Sequence, residues 1–126
     1  MTQEDKQLAL QDLCARLPYG VIGEYSWKGN EPYNRELTGS LFDELKSSWY
    51  STEDSKFLPY LRPMLSMTEE EKVEYCDLQD KFLLSSQYPV TDGYALFDWL
   101  NKKMFDFRGL IPKDLAISTE VFNPYI

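Results

Sequence analysis

A chain of 126 residues, 43% hydrophobic and 15% aromatic, has room for one domain and can bury a core, because a chain of this size hides about two thirds of the surface its unfolded form exposes. Its 21 acidic against 13 basic residues leave a net charge of -8, which argues against duplex nucleic acid as a partner. Histidine is absent, so the usual neutral-pH general base and commonest zinc or copper ligand are missing, and Ser-His-Asp and Cys-His sites cannot be assembled.

The opening MTQEDKQLAL carries acids where a secretory signal needs positive charge ahead of an apolar run, and no stretch reaches the roughly 20 apolar residues of a membrane span. The expectation is a cytoplasmic protein with no membrane partner. Thr2 and Asp5 stand at capping-box spacing and predict a helix from Thr2 to Leu17. Leu10, Leu13, Cys14 and Leu17 fall at i, i+3, i+4 and i+7, which predicts their burial with Asp12 and Arg16 outside; Pro18 ends the run. Tyr19 to Trp27 is rich in β-branched and aromatic residues and reads as a strand, with Val21, Gly23, Tyr25 and Trp27 on the more apolar face. Lys28 to Glu31 carries turn chemistry, and Tyr33 to Leu41 is the expected antiparallel partner.

Residues 42 to 58 fit neither the helical nor the strand period well, and one or two short strands are the closest match. The prolines of Pro59-Tyr60-Leu61-Arg62-Pro63 predict an extended connector that closes the β-rich half. Thr68 with Glu71 forms a second capping box, in a first turn whose acids suit the helix macrodipole, and predicts a helix to about Leu84. Tyr75, Cys76, Leu78, Phe82 and Leu83 share its apolar arc, and Glu70, Glu74, Asp77 and Lys81 lie opposite. After a loop at Ser85 to Pro89, Thr91 or Asp92 caps a further helix whose buried stripe is Leu96, Phe97, Trp99, Leu100 and Met104. Leu115 to Ile117 is a candidate last strand, and Phe122 to Ile126 docks or frays. The fold class expected is α+β: an N-terminal helix, a small twisted antiparallel sheet from about residue 19 to 60, and two packed helices followed by a C-terminal tie.

Cys14 and Cys76 both fall within helical patterns and are expected as buried thiols rather than as a disulfide pair or a nucleophile. No CxxC, HExxH, GxGxxG, Walker or EF-hand pattern occurs, so no cofactor is expected. What chemistry remains is a carboxylate pair, with or without a bound metal ion. Glu70 and Glu74 are one turn apart but lie on a face expected to be solvated, without the desolvation that tunes a catalytic acid. Residues 66 to 80 hold six acids against one base. That run is a solvated helix face by default and a docking surface for a basic partner as the sharper alternative, with Glu70, Glu74 and Asp77 as its candidates. On the sheet, Trp27, Arg35 and Trp49 are candidates for stacking a small or single-stranded anionic ligand, against the plainer reading that aromatics at strand spacing fill the core. Tyr19 and Tyr60 can each pack a ring and present a hydroxyl. Arg62 stands between prolines on the connector. Asp106 is expected to pair with Arg108 or to cap the following turn, and Arg108 to tie that turn or to face a ligand.

Three stretches carry a resemblance. Leu13-Cys14-Ala15-Arg16-Leu17-Pro18-Tyr19-Gly20-Val21, then Pro59-Tyr60-Leu61-Arg62-Pro63-Met64 running into Ser66-Met67-Thr68-Glu69-Glu70-Glu71, and Phe97-Asp98-Trp99-Leu100-Asn101 with Phe105-Asp106-Phe107-Arg108-Gly109-Leu110-Ile111, resemble a family of small uncharacterised proteins carried by phages and mobile elements of gut bacteria. The matches span most of the chain in the same order, with 24 to 57 outside them. Members of that family often carry histidines just ahead of the last stretch, where this chain has Lys102, Lys103 and Met104. The resemblance implies residence in bacterial cytoplasm and accessory, regulatory or anti-defence binding. The leading expectation is a non-catalytic protein that acts by protein–protein interaction. The alternatives are the anionic-ligand binder and, last, a metal-dependent hydrolase using carboxylates.

Overall fold

Thr2 opens the first helix by accepting the Asp5 N–H on its hydroxyl at 3.1 Å, and α1 runs Gln3–Arg16. The computed structural model describes residues 2–51, 55–84 and 92–126. A 3-10 turn at Leu17–Tyr19 follows, and Gly20 (φ 74°) turns the chain into β1 (Ile22–Trp27). Then come β2 (Tyr33–Glu36), α2 (Gly39–Ser51), β3 (Ser55–Leu61), α3 (Glu69–Leu84), α4 (Asp92–Lys102) and β4 (Ile117–Ser118). The α+β class holds. The sheet, ordered β2-β1-β3-β4, is mixed rather than antiparallel throughout, because β4 runs parallel to β3.

The hairpin forms as its turn chemistry predicts, with Ile22 opposite Glu36 and Tyr25 opposite Tyr33, but the return strand expected to reach Leu41 stops at Glu36, and α2 begins at Gly39. On the other side of β1, Gly23 lies opposite Pro59, and a Cβ on Gly23 would stand 2.5 Å from the Phe57 ring, so that ring packs where any larger residue would project. Val21, Tyr25, Phe57 and Leu61 are buried together with Ala9 and Leu13 of α1 and Leu41 and Leu45 of α2 in the main apolar cluster. A second cluster joins Met67, Leu96, Leu100 and Phe105.

Several expectations are corrected. The stretch read as short strands from 42 to 58 is mostly α2, capped by Thr38, whose hydroxyl accepts the Leu41 N–H at 3.2 Å. Within it Leu41 and Leu45 are buried and Phe42 packs against the same cluster, an i, i+4 pair in a stretch otherwise rich in polar residues. Pro59 to Leu61 is not a connector but the C-terminal half of an interior strand. The parallel β4 ladder starts at Tyr60, past the one position without an N–H, which is how proline is accommodated there. The chain stays paired beyond β3, with Arg62 N–H donating to Met104 C=O at 2.7 Å and Asp106 N–H to Arg62 C=O at 2.8 Å.

The first helix buries Lys6, Ala9, Asp12, Leu13 and Arg16, so Asp12 and Arg16 lie inside, where their charges are paired, and Cys14 is turned out. Cys76 is exposed as well, and both thiols are free. On α3 Tyr75 and Leu78 pack into the second cluster, which leaves Cys76 on the wrong side for burial. The Ser85 to Pro89 loop and Thr91 lie outside the described residues. On α4, Leu96 and Leu100 are buried, as is Met104 just beyond it, but Phe97 is exposed. The C-terminal segment docks: the Tyr125 hydroxyl reaches Ile22 N–H, Ile22 C=O and Tyr60 C=O.

Candidate functional site

Residues from all three distinctive stretches of the sequence meet at one place. Asp12 and Arg16, one turn apart on α1, are fully buried and paired at 2.9 Å. Arg16 Nη2 donates to Phe105 C=O at 2.6 Å. The second oxygen of Asp12 accepts from Arg108 Nη1 at 2.5 Å, and Arg108 also donates to Asn101 Oδ1 at 3.1 Å. The Arg108 guanidinium lies 4.2 Å from the Phe107 ring centroid, a geometry that favours a partly desolvated cation. This hub, between Leu13 of the main cluster and Phe105 of the second, uses each charged group twice or more.

Two further ties flank it. Asp106 does not pair with Arg108; its two carboxylate oxygens accept the N–H groups of Leu110 and Ile111 at 2.8 and 2.9 Å, capping the turn as one of the two expectations had it. Arg62 grips Glu71 with both terminal nitrogens, at 2.7 and 2.6 Å, and lies 4.2 Å over the Phe105 ring. The same Glu71 completes the capping box, accepting Thr68 N–H at 2.9 Å. The Arg62 hydrogen bonds, helped by those of Thr68, hold its carboxyl down at about 2 against burial. Asp106 and Arg62 thus spend their polar atoms inside the protein, as does Arg108 through Nη1.

The remaining candidates are spread over three surfaces. Trp27, at 47% exposed, shares a sheet face with Arg35, which lies 5.6 Å over the Tyr25 ring. Trp49 does not join them on the sheet, because it belongs to α2. Tyr19 stands exposed in the 3-10 turn. Tyr60 is on the opposite sheet face, buried, and donates to Asn34 Oδ1 at 2.8 Å; that burial pushes its phenol up.

Glu70, Glu74 and Asp77 are exposed on α3. Helical spacing of 100° per residue places Glu69, Glu70, Asp77 and Asp80 around Val73, which is 71% exposed. Glu74 at the edge of this face accepts the Trp99 indole N–H at 2.8 Å, and Trp99 stacks between Tyr75 and Phe105, at centroid distances of 6.2 and 5.5 Å. Val73 was missed by pattern reading because one apolar residue among carboxylates carries no periodic signal. Pattern reading also missed Leu65, wholly exposed at the rim of an apolar groove of about 270 Å³ that Pro63, Met64, Ile111 and Pro112 also line.

Among the described residues, no three His, Cys, Asp or Glu side chains converge as a metal site would require, and no helix is long and apolar enough to cross a membrane. No family model matches the chain, and neither a curated protein nor a solved structure is similar to it.

Proposed function

We propose that this chain is a non-catalytic binding protein that engages a protein partner through the outer face of α3 and the adjoining edge of α4. The observation that carries the reading is an exposed Val73 ringed by carboxylates and continued, through Glu74, to the Trp99 indole. Such a face offers a small apolar anchor within a strongly negative rim, and its complement is a basic partner. In the hub Arg16 and Arg108 are spent on Asp12 and do not offset this acidity, while Arg62, Lys72 and Lys81 pair with Glu71, Glu69 and Asp77 of the same helix. The resemblance to small phage and mobile-element proteins adds the setting, a bacterial cytoplasm, and an accessory role.

The test compares the wild-type chain with Glu70→Lys/Asp77→Lys as bait in extracts of the bacterial host. A protein enriched by the wild type over a charge-matched control, and lost with the variant while its melting temperature stays within about 2 °C, is the expected result. Repeated failure to enrich any protein counts against the proposal. A second reading rests on a different observation: Arg35, exposed Tyr33 and exposed Trp27 follow one another along one sheet face, an arrangement that suits a small or single-stranded anionic ligand. Tryptophan fluorescence titrated with nucleotides and oligonucleotides would show salt-dependent quenching, and a flat response removes it.

A further inference from the structure

Two guanidinium groups, Arg16 and Arg108, share the one carboxylate of Asp12, so the hub holds more positive charge than it neutralises. The nearby Asp106 carboxylate is taken up by the N–H groups of Leu110 and Ile111. Arg16 is wholly buried and bonded through every nitrogen, to Asp12, Asn101 C=O and Phe105 C=O. Arg108 differs: only its Nη1 is engaged, by Asp12 and Asn101 Oδ1. Its Nε and Nη2 find no partner among the described residues, and because no buried side-chain nitrogen there is left unpaired, both are open to solvent. They form one edge of the guanidinium, the planar fork that a carboxylate meets with two parallel hydrogen bonds.

An apolar track leads to that edge. The guanidinium lies 4.2 Å from the Phe107 ring centroid, Phe97 packs on Phe107 at 5.8 Å, and Phe82 meets Phe97 edge-on at 5.6 Å. Phe97 stands one helical turn before Asn101 on α4, on the same side of the helix as the amide that holds Arg108. Phe97 is 41% exposed and Phe82 38%, so both keep apolar surface for a further contact. Helical spacing sets Phe82 on the opposite side of α3 from Val73, which separates this place from the acidic face.

We infer that Arg108, Phe97 and Phe107 form a binding site for a small aromatic carboxylate, whose carboxyl group takes the Nε–Nη2 edge while its ring lies on Phe97. The charge balance selects the anion. One excess positive charge is met by a monoanion, whereas a phosphate dianion overshoots it in a protein whose net charge is already -8. The exposed rings select the rest of the molecule, because a carboxylate without an apolar body leaves their surface in water.

NMR of the arginine side-chain Nε–H groups in the full chain reads the site directly. Titration with phenylacetate should move the Arg108 Nε–H signal along a saturating curve. Acetate should bind at least about 10-fold more weakly for want of the ring, and phenylacetamide at least about 10-fold more weakly for want of the charge. Phe97→Ala, at an exposed position that the hub does not use, should weaken phenylacetate by about 5-fold and leave the Arg108 signal of the free protein in place. In the wild type alone, a response that does not saturate, or one equal for acetate and phenylacetate, would overturn the site. Saturation that Phe97→Ala leaves untouched would overturn it too, as would movement of the Arg35 signal in place of that of Arg108.

Discussion

Asp12 and Asp77 each stand one helical turn before a base. Asp12 pairs with Arg16 at 2.9 Å with both side chains wholly buried, and Asp77 pairs with Lys81 at 3.3 Å with the two side chains 66% and 57% exposed. Spacing and charge are alike; what differs is everything around them. Arg16 is also held by Phe105 C=O and Asp12 by Arg108, so neither charge can be removed without stranding another. Water serves the Asp77 pair equally well in its absence. The local pattern therefore tells that a pair forms, and the tertiary surroundings tell what it is worth.

The sharpest way to break this contrast is Asp12→Ala, which leaves two arginines facing each other without their counter-ion. It should cost about 3 to 5 kcal/mol in urea unfolding, whereas Asp77→Ala should cost less than about 0.5 kcal/mol. Similar costs for the two would show that the hub is not the keystone its geometry indicates. Next in size is Asp106→Ala, which orphans the Leu110 and Ile111 N–H groups and should destabilise by about 1 to 2 kcal/mol, with Asp106→Asn recovering part of the loss because its amide oxygen still accepts one of them.

A smaller effect than at Asp12 or Asp106 belongs to Glu71, which lies between the extremes, its side chain 13% exposed. Its carboxyl sits at about 2 in the folded protein against 4.5 ordinarily, so between those values the unfolded chain holds the proton and the folded one does not. Stability from this site is fully present above about pH 4.5 and is lost as pH falls toward 2. Glu71→Gln should lower stability at pH 7 by about 1 kcal/mol and flatten the acid limb of a stability-versus-pH curve. An acid limb as steep as the wild type's would place the titration elsewhere.

How far the residues themselves announced this architecture follows the same line between local and distant causes. Thr2, the Thr68 and Glu71 box, the hairpin turn and the Asp106 cap were all legible, because each is completed within five residues. The buried face of α1 was not: an Asp and an Arg read as solvent-facing until partners 89 and 96 residues away are known. The stripe of Ala9, Asp12, Leu13 and Arg16 does have helical spacing, and the i, i+4 ion pair within it was the available clue. The second helix was obscured because its apolar residues, Leu41, Phe42, Leu45, Trp49 and Tyr50, are few and are separated by Asp, Glu, Lys and Ser. As for the candidate site, the acidity of α3 was plain from composition, but the exposure of Val73 and the reach of Trp99 to Glu74 depend on how α4 packs. Of the arginines, Arg62 and Arg108 were singled out as possible ligand contacts, and both turn inward.

The separation in the chain of the groups that meet at Arg16 has a bearing on synthesis. On a ribosome, the amino-terminal helix emerges long before the carbonyl and the guanidinium that neutralise its charges, which follow 85 to 96 residues later. Until then Asp12 and Arg16 keep their hydration and the helix has no stable seat, so the nascent chain gains little by settling early. The hub can close only once Asn101, Phe105 and Arg108 have all emerged, so what these buried charges contribute to stability comes after that point in synthesis.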